Sequence, residues 1–493
     1  MAASPSPTPM RRRTHTPTPP STTDAAPCAN CWRGRDAAAP REKRGPCGMT
    51  APDGIGGTRR TLGLTDLVLL GTVAIVNVNV VPPVSGFGRA TLGLWLLAWL
   101  AFFVPEAIAV LVLSQRYPGE GGVYRWCRAH FGARHGFIAG WCYWTNSLLY
   151  VPVLLVYVAG VLTYAGGPAT RALIDSRVFI GGVSMTWLAC ITAANIRGSS
   201  VGKWLNNIGG IGGLATVLMV AAVAAEARRR GVAVEVPEVA GTPADMLGAL
   251  GVMCFAFIGI ELASTMADDI RHPERDVPRA VALTGLTALV AYLLVADALL
   301  VMVPSGDMGS LQGVMQAIEQ GATLAGLPGV VAPVAVLMAI AVAGSASAWF
   351  AGPARIPFVA GLDHALPEVL GRRHPRWGSP YVALLVCAAV SAVLTVISLA
   401  GSTVAEAYQV LLRAAVVINL VPFVYVFLAV LQLRDLSAPV RASAAIGLVV
   451  TACGIAAVFL PTGEVGNVVV FELKMLGGVG GMLGLGLWLF RQQ

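Results

Sequence analysis

The amino-acid sequence predicts an all-α membrane protein with twelve transmembrane helices. Of its 493 residues, 56% are hydrophobic and only 12% are charged. Soluble domains carry about twice that charged fraction, so the composition argues against an ordinary soluble enzyme. From residue 64 onward, apolar stretches long enough to cross about 30 Å of hydrocarbon recur between short polar loops. This is the pattern of a polytopic membrane protein.

The first segment, residues 1–60, has a different composition, dominated by Pro, Thr, Ala and Arg without an apolar run. Such a composition cannot bury enough apolar surface to fold, so we predict a disordered cytoplasmic tail. Cys28 and Cys31 form a C-x-x-C pair, but no second ligand pair accompanies them, and we predict no metal site. Met49 stands where the composition changes, and it is an alternative start of the chain.

The twelve predicted spans follow one another with short connections. They are residues 64–86, 90–113, 136–165, 178–196, 204–225, 245–269, 280–304, 328–352, 378–400, 405–432, 442–461 and 468–490. Basic residues in the loops favour the side of the N-terminal tail, fifteen against seven. By the positive-inside rule both termini are then cytoplasmic, and the run from Arg228 to Arg230 is the one exception.

Two of these spans contain residues that interrupt a helix. In the first, two asparagines stand just before Pro82 and Pro83, and in the sixth Gly259 and Glu261 break an apolar run. Paired interruptions in corresponding helices of two halves indicate an inverted-repeat transporter, whose site lies where half-helix ends meet near the midplane. The alternative is that the prolines end a helix near the surface and that Gly259 eases packing.

Helix ends of this kind suit one class of substrate. The N–H groups at a helix N-terminus attract a carboxylate, and the free carbonyl groups at a C-terminus attract an ammonium. An amino acid carries both groups. The sequence therefore predicts an amino acid as the substrate and the lipid bilayer as the surroundings.

Several motifs resemble the amino acid–polyamine–organocation superfamily. The sixth span and its exit, FAFIGIELASTMADDIRHPERDVPRA (255–280), resemble the Gly-x-Glu break of that superfamily and the cytoplasmic segment that follows it. YPGEGGVYRW (117–126) is similar to its P-x-x-G-G-x-Y signature, and residues 346–370 are similar to the end of its eighth helix. GVMQAI (313–318) and Ser85-Gly86-Phe87 favour the glutamate:GABA antiporter branch. The resemblance covers about 62–435.

This resemblance implies a layout and a site. Residues 61–435 would form two inverted five-helix repeats with helices 1 and 6 broken, residues 436–493 would add two helices, and transport would proceed by alternating access. The first break would bind the α-carboxylate and the second the α-amino group of the substrate. The implied binding residues are Asn79, Pro83, Ser85, Gly86, Phe87 and Gly88 in the first break and Phe257, Ile258 and Gly259 in the second.

Four ionisable residues fall within the spans, where charges are costly. We predict a structural or gating role for Glu261, which follows the break and can cap exposed N–H groups. Asp297 is predicted to cap or pair within its span, and the direction of Glu106 cannot be read from the sequence. Arg413 either binds a second carboxylate of an acidic substrate or pairs with Glu261, Asp297 or Glu406.

The predicted function is amino acid exchange in the cell membrane. All six His residues lie in the tail or on the cytoplasmic side, and the fifth span has no Lys within it, since Lys203 stands at its edge. The absence of His and of Lys from these positions favours exchange over the alternative of proton-coupled symport. A non-transporting amino acid sensor with the same fold is a second alternative.

Other classes of function find no support in the residues. No span carries a metal-ligand set or a nucleophile with a matching base, so we predict neither an enzyme nor a bound cofactor or metal. The basic residues form no single face, which argues against a nucleic-acid partner. A homo-oligomer is compatible with the sequence.

Overall fold

The computed structural model describes Met1 and residues 62–119, 121–231, 236–265, 269–303, 312–362, 366–401, 404–459 and 468–492. The predicted tail, with Cys28, Cys31 and Met49, lies outside these residues. Within them the chain is helical and forms no β-strand, apart from a single bridge between Leu62 and Ile270. This agrees with the predicted all-α class.

Seventeen α-helices make up most of the described residues. They are α1 (Leu64–Ile75), α2 (Ala90–Ala98), α3 (Val104–Arg116), α4 (Gly122–Phe131), α5 (Ala133–Leu162), α6 (Arg177–Ile196), α7 (Ser199–Arg229), α8 (Pro243–Phe257), α9 (Leu262–Thr265), α10 (Pro273–Met302), α11 (Gly313–Leu324), α12 (Val331–Ala351), α13 (Arg355–Leu362), α14 (Tyr381–Gly401), α15 (Val404–Gln432), α16 (Ala438–Val458) and α17 (Val468–Arg491). A π-turn at Trp99–Phe103 joins α2 and α3, and two 3₁₀ turns, Val78–Val80 and Pro82–Val84, follow α1.

The lengths of these helices explain how the chain crosses a membrane. Among the described residues, nine helical segments are long and apolar enough to span a bilayer. Three shorter apolar helices, Leu64–Val80, Asp245–Phe257 and Met475–Arg491, occupy the first, sixth and twelfth predicted spans. The first two fall short because they are the interrupted ones. The protein is therefore a multi-pass membrane protein, while twelve crossings and the inverted repeat stay predictions.

Helix α5 forms the centre of the bundle. It is almost entirely buried and packs against α12 and α15. Tyr143, Tyr150 and Tyr157 recur every seven residues along it, so they lie on nearly one face. All three are buried, and the two nearer its start contact Trp349 of α12 with ring centroids 6.3 and 5.8 Å apart. This aromatic face lies beside the broken helices.

Helices α7 and α12 cross at two glycines. A Cβ atom on Gly344 would lie 2.6 Å from the Cα of Gly209, and one on Gly209 would lie 2.7 Å from the Cα of Gly344. Small residues at such a crossing let the helix backbones approach closely. Val73 of α1 packs into the same crossing, so the two glycines also position the first broken helix.

The run of three arginines that departs from the charge pattern is paired locally. Arg228 donates two hydrogen bonds, of 2.8 and 2.7 Å, to Asp297. Arg229 and Arg230 both contact Glu226, at 2.7 Å. Asp297 thus lies in the last turns of the 30-residue helix α10 with its side chain 36% exposed. Asp297 therefore pairs with the neighbouring helix α7, while its depth in the bilayer stays a prediction.

We expect the substitution Gly344→Ala to destabilise the protein, because its methyl group has no room at the α7–α12 crossing. Overpacking of this kind costs about 1–3 kcal/mol of unfolding free energy. The measurement is the thermal unfolding midpoint of the purified protein in detergent. Gly213→Ala on α7 is the control, since its Cβ atom would meet Ala341 at 3.8 Å, an ordinary contact. Equal midpoints for the two variants would contradict the prediction.

Candidate functional site

The first break lies immediately after α1. The helix ends at Ile75, and the side-chain amide of Asn77 donates hydrogen bonds to the carbonyl oxygens of Ala74 (2.6 Å) and Ile75 (3.4 Å). Asn77 thereby replaces the backbone donors that a continuing helix would supply. Pro82 and Pro83 begin the second 3₁₀ turn. At the start of a helical turn the N–H group has no carbonyl partner within the turn, so its absence in proline costs no hydrogen bond there.

This position corrects the expectation that the prolines mark the break. The helix unwinds before them, and Pro83 to Gly88 lie beyond the unwound point. Gly88 has a φ of +62°, and a Cβ atom there would lie 2.3 Å from the carbonyl oxygen of Pro237. The N–H group of Arg89 donates to that same oxygen at 2.9 Å. This segment therefore pairs with the chain that leads into α8.

The other predicted residues of this segment have different surroundings. Ser85 is buried, and its hydroxyl donates to the carbonyl of Val81 at 2.7 Å. Gly86 is exposed with open space around it, whereas Phe87 is buried against Gly241. The segment is thus a structured connection to the start of α8, and its binding role stays a prediction.

The second break is at the predicted residues. Helix α8 ends at Phe257, Ile258 is extended, and Gly259 has a φ of +147°, which strongly favours glycine. Glu261 accepts a hydrogen bond from the N–H group of Gly259 (2.9 Å) and another from the hydroxyl of Tyr143 on α5 (2.7 Å). Its carboxylate thus caps the unwound segment itself.

The two breaks touch each other in the buried centre of the bundle. A Cβ atom on Gly259 would lie 2.9 Å from the side chain of Ile75 and 3.1 Å from that of Ala74. The hydroxyl of Tyr292 on α10 reaches both half-helix ends, because the carbonyl oxygens of Ile75 and Ala256 (2.9 Å) are both within hydrogen-bonding distance. Its single proton can be donated to either oxygen.

Aromatic side chains enclose this contact. The ring of Trp95 stacks on Tyr292 with centroids 4.2 Å apart, and Phe257 stands edge-on to both rings. The indole N–H group of Trp349 donates to the carbonyl of Ala74 at 3.0 Å. Phe257 is among the residues predicted from the sequence, whereas Trp95, Tyr292, Trp349 and Tyr143 are not. The sequence signal that could have identified them is a Tyr or Trp inside an apolar span, because a buried Tyr O–H or Trp N–H group usually has a hydrogen-bond partner.

Asn79 follows the first break and faces α15. Its side-chain amide donates to the hydroxyl of Tyr408 at 3.1 Å. The side chain is fully buried, and its oxygen has no hydrogen-bond partner within the part of the chain that the structure describes. A buried acceptor without a donor is a favourable position for a ligand N–H group.

Arg413 points in another direction. It follows Tyr408 by five residues on α15, which is a rotation of about 140° around the helix. Its guanidinium donates to the carbonyl of Val458 on α16 at 3.3 Å. Of its predicted acidic partners, Glu261 binds Tyr143 and Gly259, and Asp297 binds Arg228. The third, Glu406, has a side chain outside the described residues.

Glu106 proves to face the second break. It is fully buried on α3, and its carboxyl group interacts with that of Glu261. The prediction of exchange rests on the absence of a Lys from the fifth span and of a His from the spans. Two buried carboxyl groups at the break provide titratable groups of another kind.

Ion pairs connect the helices at one end of the bundle, which we call the basic end. Lys203 at the start of α7 contacts Asp66 of α1 at 2.9 Å, and Arg355 at the start of α13 contacts Asp269 at 2.7 Å. Arg116 at the end of α3 lies 2.6 Å from Asp435, and this hydrogen bond holds the pKa of that carboxyl below its usual range. The first two pairs border a cavity of about 110 Å³ beneath α1.

A membrane-spanning helical bundle in which two broken helices meet end to end has the architecture of a secondary transporter. A family model described as "Amino acid permease" matches residues 62–471. The chain therefore belongs to the amino acid permease family, which confirms the predicted superfamily. This family and the relatives named below are transporters, not enzymes.

Three relatives illustrate the range of the family. An uncharacterized transporter of Legionella pneumophila is 26% identical, over 86% of this chain and 95% of the relative. The probable agmatine/putrescine antiporter AguD of Lactococcus lactis is 23% identical over 67% and 71%, and the branched-chain amino acid permease BcaP of Bacillus subtilis is 27% identical over 70% and 76%. None of the three is described as a glutamate:GABA antiporter, so that branch stays a prediction.

We expect Tyr292→Phe to loosen the contact between the two breaks. Without the hydroxyl, one buried carbonyl that it had satisfied loses its donor, at a cost of about 1–3 kcal/mol. The thermal unfolding midpoint should fall accordingly. Tyr381→Phe, at the half-buried start of α14, should leave the midpoint unchanged. A stability equal to the wild type in Tyr292→Phe would mean that this hydroxyl does not hold the breaks together.

We expect Arg413→Gln to weaken the α15–α16 packing without selecting among substrates. A hydrogen bond from a charged donor contributes about 1.5–3 kcal/mol, so the thermal midpoint should fall. Exchange of glutamate and of leucine in liposomes should decline by the same factor. Arg441→Gln, at the exposed start of α16, is the control. A loss confined to glutamate would instead identify Arg413 as the reader of an acidic substrate.

Proposed function

We propose that the protein carries amino acids across the cell membrane by alternating access, with the substrate bound between the two helix breaks. The observation that carries this proposal is the direct contact of Gly259 with the end of α1 at Ala74 and Ile75. Two unwound segments in contact offer a ligand backbone groups from both helices. The family match supports the transport of amino acids or organic cations.

The two ends of a substrate would meet different parts of this site. Helix α8 directs its C-terminal end at the break, and carbonyl groups there attract a positive charge. The substrate's ammonium group is therefore expected near Phe257 and Ile258. The buried side-chain oxygen of Asn79, which has no donor among the described residues, is a further acceptor for that group. Its carboxylate is expected at the unwound segment that follows Ile75.

We further propose that the substrates have neutral side chains. The rings of Trp95, Phe257 and Tyr292 provide an apolar enclosure, and the buried carboxyl groups of Glu106 and Glu261 would repel a further negative charge. The expectation of a glutamate-like substrate rests on the resemblance to the glutamate:GABA antiporter branch and on Arg413, and the bond of Arg413 to α16 does not support the second ground.

Alternating access requires each end of the bundle to open in turn. By the positive-inside rule the basic end is cytoplasmic, together with both termini. Opening of that end would separate the pairs Lys203–Asp66 and Arg355–Asp269, which link α1 and α13 to their neighbours. The Lys203–Asp66 pair is partly exposed, whereas the Arg355–Asp269 pair is largely buried, with side chains 13% and 6% exposed, so its separation carries the larger cost.

The proposal predicts that Gly259→Ala abolishes transport. The added methyl group would clash with Ile75 and would force an unfavourable backbone conformation, so the breaks could not close on a substrate. Counterflow of radiolabelled leucine into preloaded liposomes should fall at least about tenfold, a loss of about 1.4 kcal/mol or more. Gly182→Ala on α6, with open space for a Cβ atom, should retain the wild-type rate.

For the wild-type protein, counterflow is measured with leucine, arginine, glutamate and GABA. Counterflow of leucine above that of glutamate supports the proposal. Unchanged counterflow in a folded Gly259→Ala protein would place the substrate site elsewhere. Binding of leucine by the wild type without counterflow would instead identify an amino acid sensor.

A further inference from the structure

Two carboxyl groups from distant parts of the chain meet beside the second break. Glu106 and Glu261 are both fully buried, and their carboxyl groups are close enough for each to act electrostatically on the other. Glu261 has two donors, the Tyr143 hydroxyl and the Gly259 N–H group. Within the described ranges, no N–H or O–H group donates to either carboxyl oxygen of Glu106. Glu106 is thus a buried polar group directed at a second carboxyl group.

This arrangement requires a proton. Two ionised carboxylates in contact away from water repel each other, whereas a single proton lets one donate an O–H···O hydrogen bond to the other. Glu261 is the charged member, because Tyr143 and Gly259 donate to it. Glu106 then carries the proton. The pair holds one proton and one negative charge when the breaks are closed.

Among the residues that the structure describes, the groups around the pair do not supply a countercharge. Tyr143 faces the pair from α5 and Cys254 faces Glu106 from α8; a phenol and a thiol are both neutral at physiological pH. The described residues that contact the chain just before Glu106, at Phe102, Phe103 and Pro105, are uncharged: Gly285 on α10, Phe427 on α15 and Gly447 on α16. The charge of the pair therefore depends on its own proton.

A pocket leads from the basic end toward the pair. Its volume is about 600 Å³, which is ample for water, and its lining includes Val110 and Ile260. Val110 is one helical turn from Glu106, and Ile260 precedes Glu261 in the chain. The pocket reaches the surface beside the exposed residues Gln115 and Glu274. Water therefore approaches the pair to within about one helical turn.

We propose that Glu106 and Glu261 form a proton-binding site and that the proton crosses the membrane together with the substrate. This inference rests on the proposed function, since it assumes a substrate between the breaks. One proton on the pair stabilises the closed contact of the breaks, and so does the substrate. Ligands that favour the same state of a protein bind cooperatively, so proton and substrate move in the same direction.

Access of water to the carboxyl pair determines when Glu106 releases and takes up its proton. When the basic end opens, water from the pocket reaches the pair, Glu106 transfers its proton to water as H₃O⁺, and the hydrated pair carries two negative charges. When the opposite end opens, Glu106 takes one proton from water on that side. One proton is moved per cycle, and no oxidation or reduction is involved.

The test uses the full-length protein in liposomes that contain a pH-sensitive dye. With the interior more alkaline by about one pH unit, one coupled proton supports roughly tenfold accumulation of leucine. Adding leucine outside should also acidify the interior. Counterflow of leucine at equal pH, measured on the same vesicles, tests the proposed function separately. Counterflow without acidification overturns the proton site, whereas absence of counterflow overturns the proposed function.

Glu106→Gln tests whether proton coupling depends on the pair. The amide keeps the shape of the side chain and can donate a hydrogen bond to Glu261, but it cannot release a proton. The ratio of gradient-driven uptake to counterflow should fall at least about tenfold, and the dye signal should vanish. Glu319→Gln is the matched control, since the side chain of Glu319 is 40% exposed and pairs with the partly buried Arg171. If Glu106→Gln does not fold, Glu261→Gln is measured in its place.

Two results would overturn the assignment. One is a full proton signal in the folded Glu106→Gln protein. The other is a loss of arginine counterflow in that variant while leucine uptake stays coupled to the gradient, because this would identify the pair as a site for a substrate ammonium group.

Discussion

The structure depends on one constraint: backbone N–H and carbonyl groups buried in a bilayer need partners from within the protein. Two unwound helices expose such groups at the centre of the bundle, and side chains from other helices satisfy them. Asn77 and Trp349 donate to the end of α1, Glu261 binds the N–H group of Gly259, and Tyr292 serves both helices. The candidate site exists because these side chains replace helical hydrogen bonds.

The same constraint explains why Gly259 occupies its position. Its φ of +147° and its contact with Ala74 and Ile75 both require a residue without a side chain. A continuous helix there would satisfy its own backbone but would separate the two breaks by a layer of side chains. The close approach therefore comes at the expense of regular structure, and the surrounding aromatic rings exclude lipid from the exposed groups.

Much of this could be predicted from the sequence, and the exceptions have physical causes. Apolar runs identify the helices, and Gly259 with Glu261 marks the second break. The first break lies earlier than predicted because Pro82 and Pro83 begin a 3₁₀ turn, where proline is tolerated, while Asn77 ends the helix through its side chain. The direction of Glu106 could not be read, since the apolar residues around it show no preferred face.

Whether transport is coupled to protons could not be predicted from the sequence either. Residue types alone argue against a titrating site, because neither His nor Lys lies within the relevant spans. Whether a carboxyl group titrates depends on its neighbours, and for Glu261 these come from α3, α5 and the break itself. The N–H group of Gly259 binds Glu261, and its α-carbon lies so close to α1 that a Cβ atom there would be 2.9 Å from the side chain of Ile75. Any movement that opens the breaks must therefore also change the hydrogen bonding of the carboxyl pair.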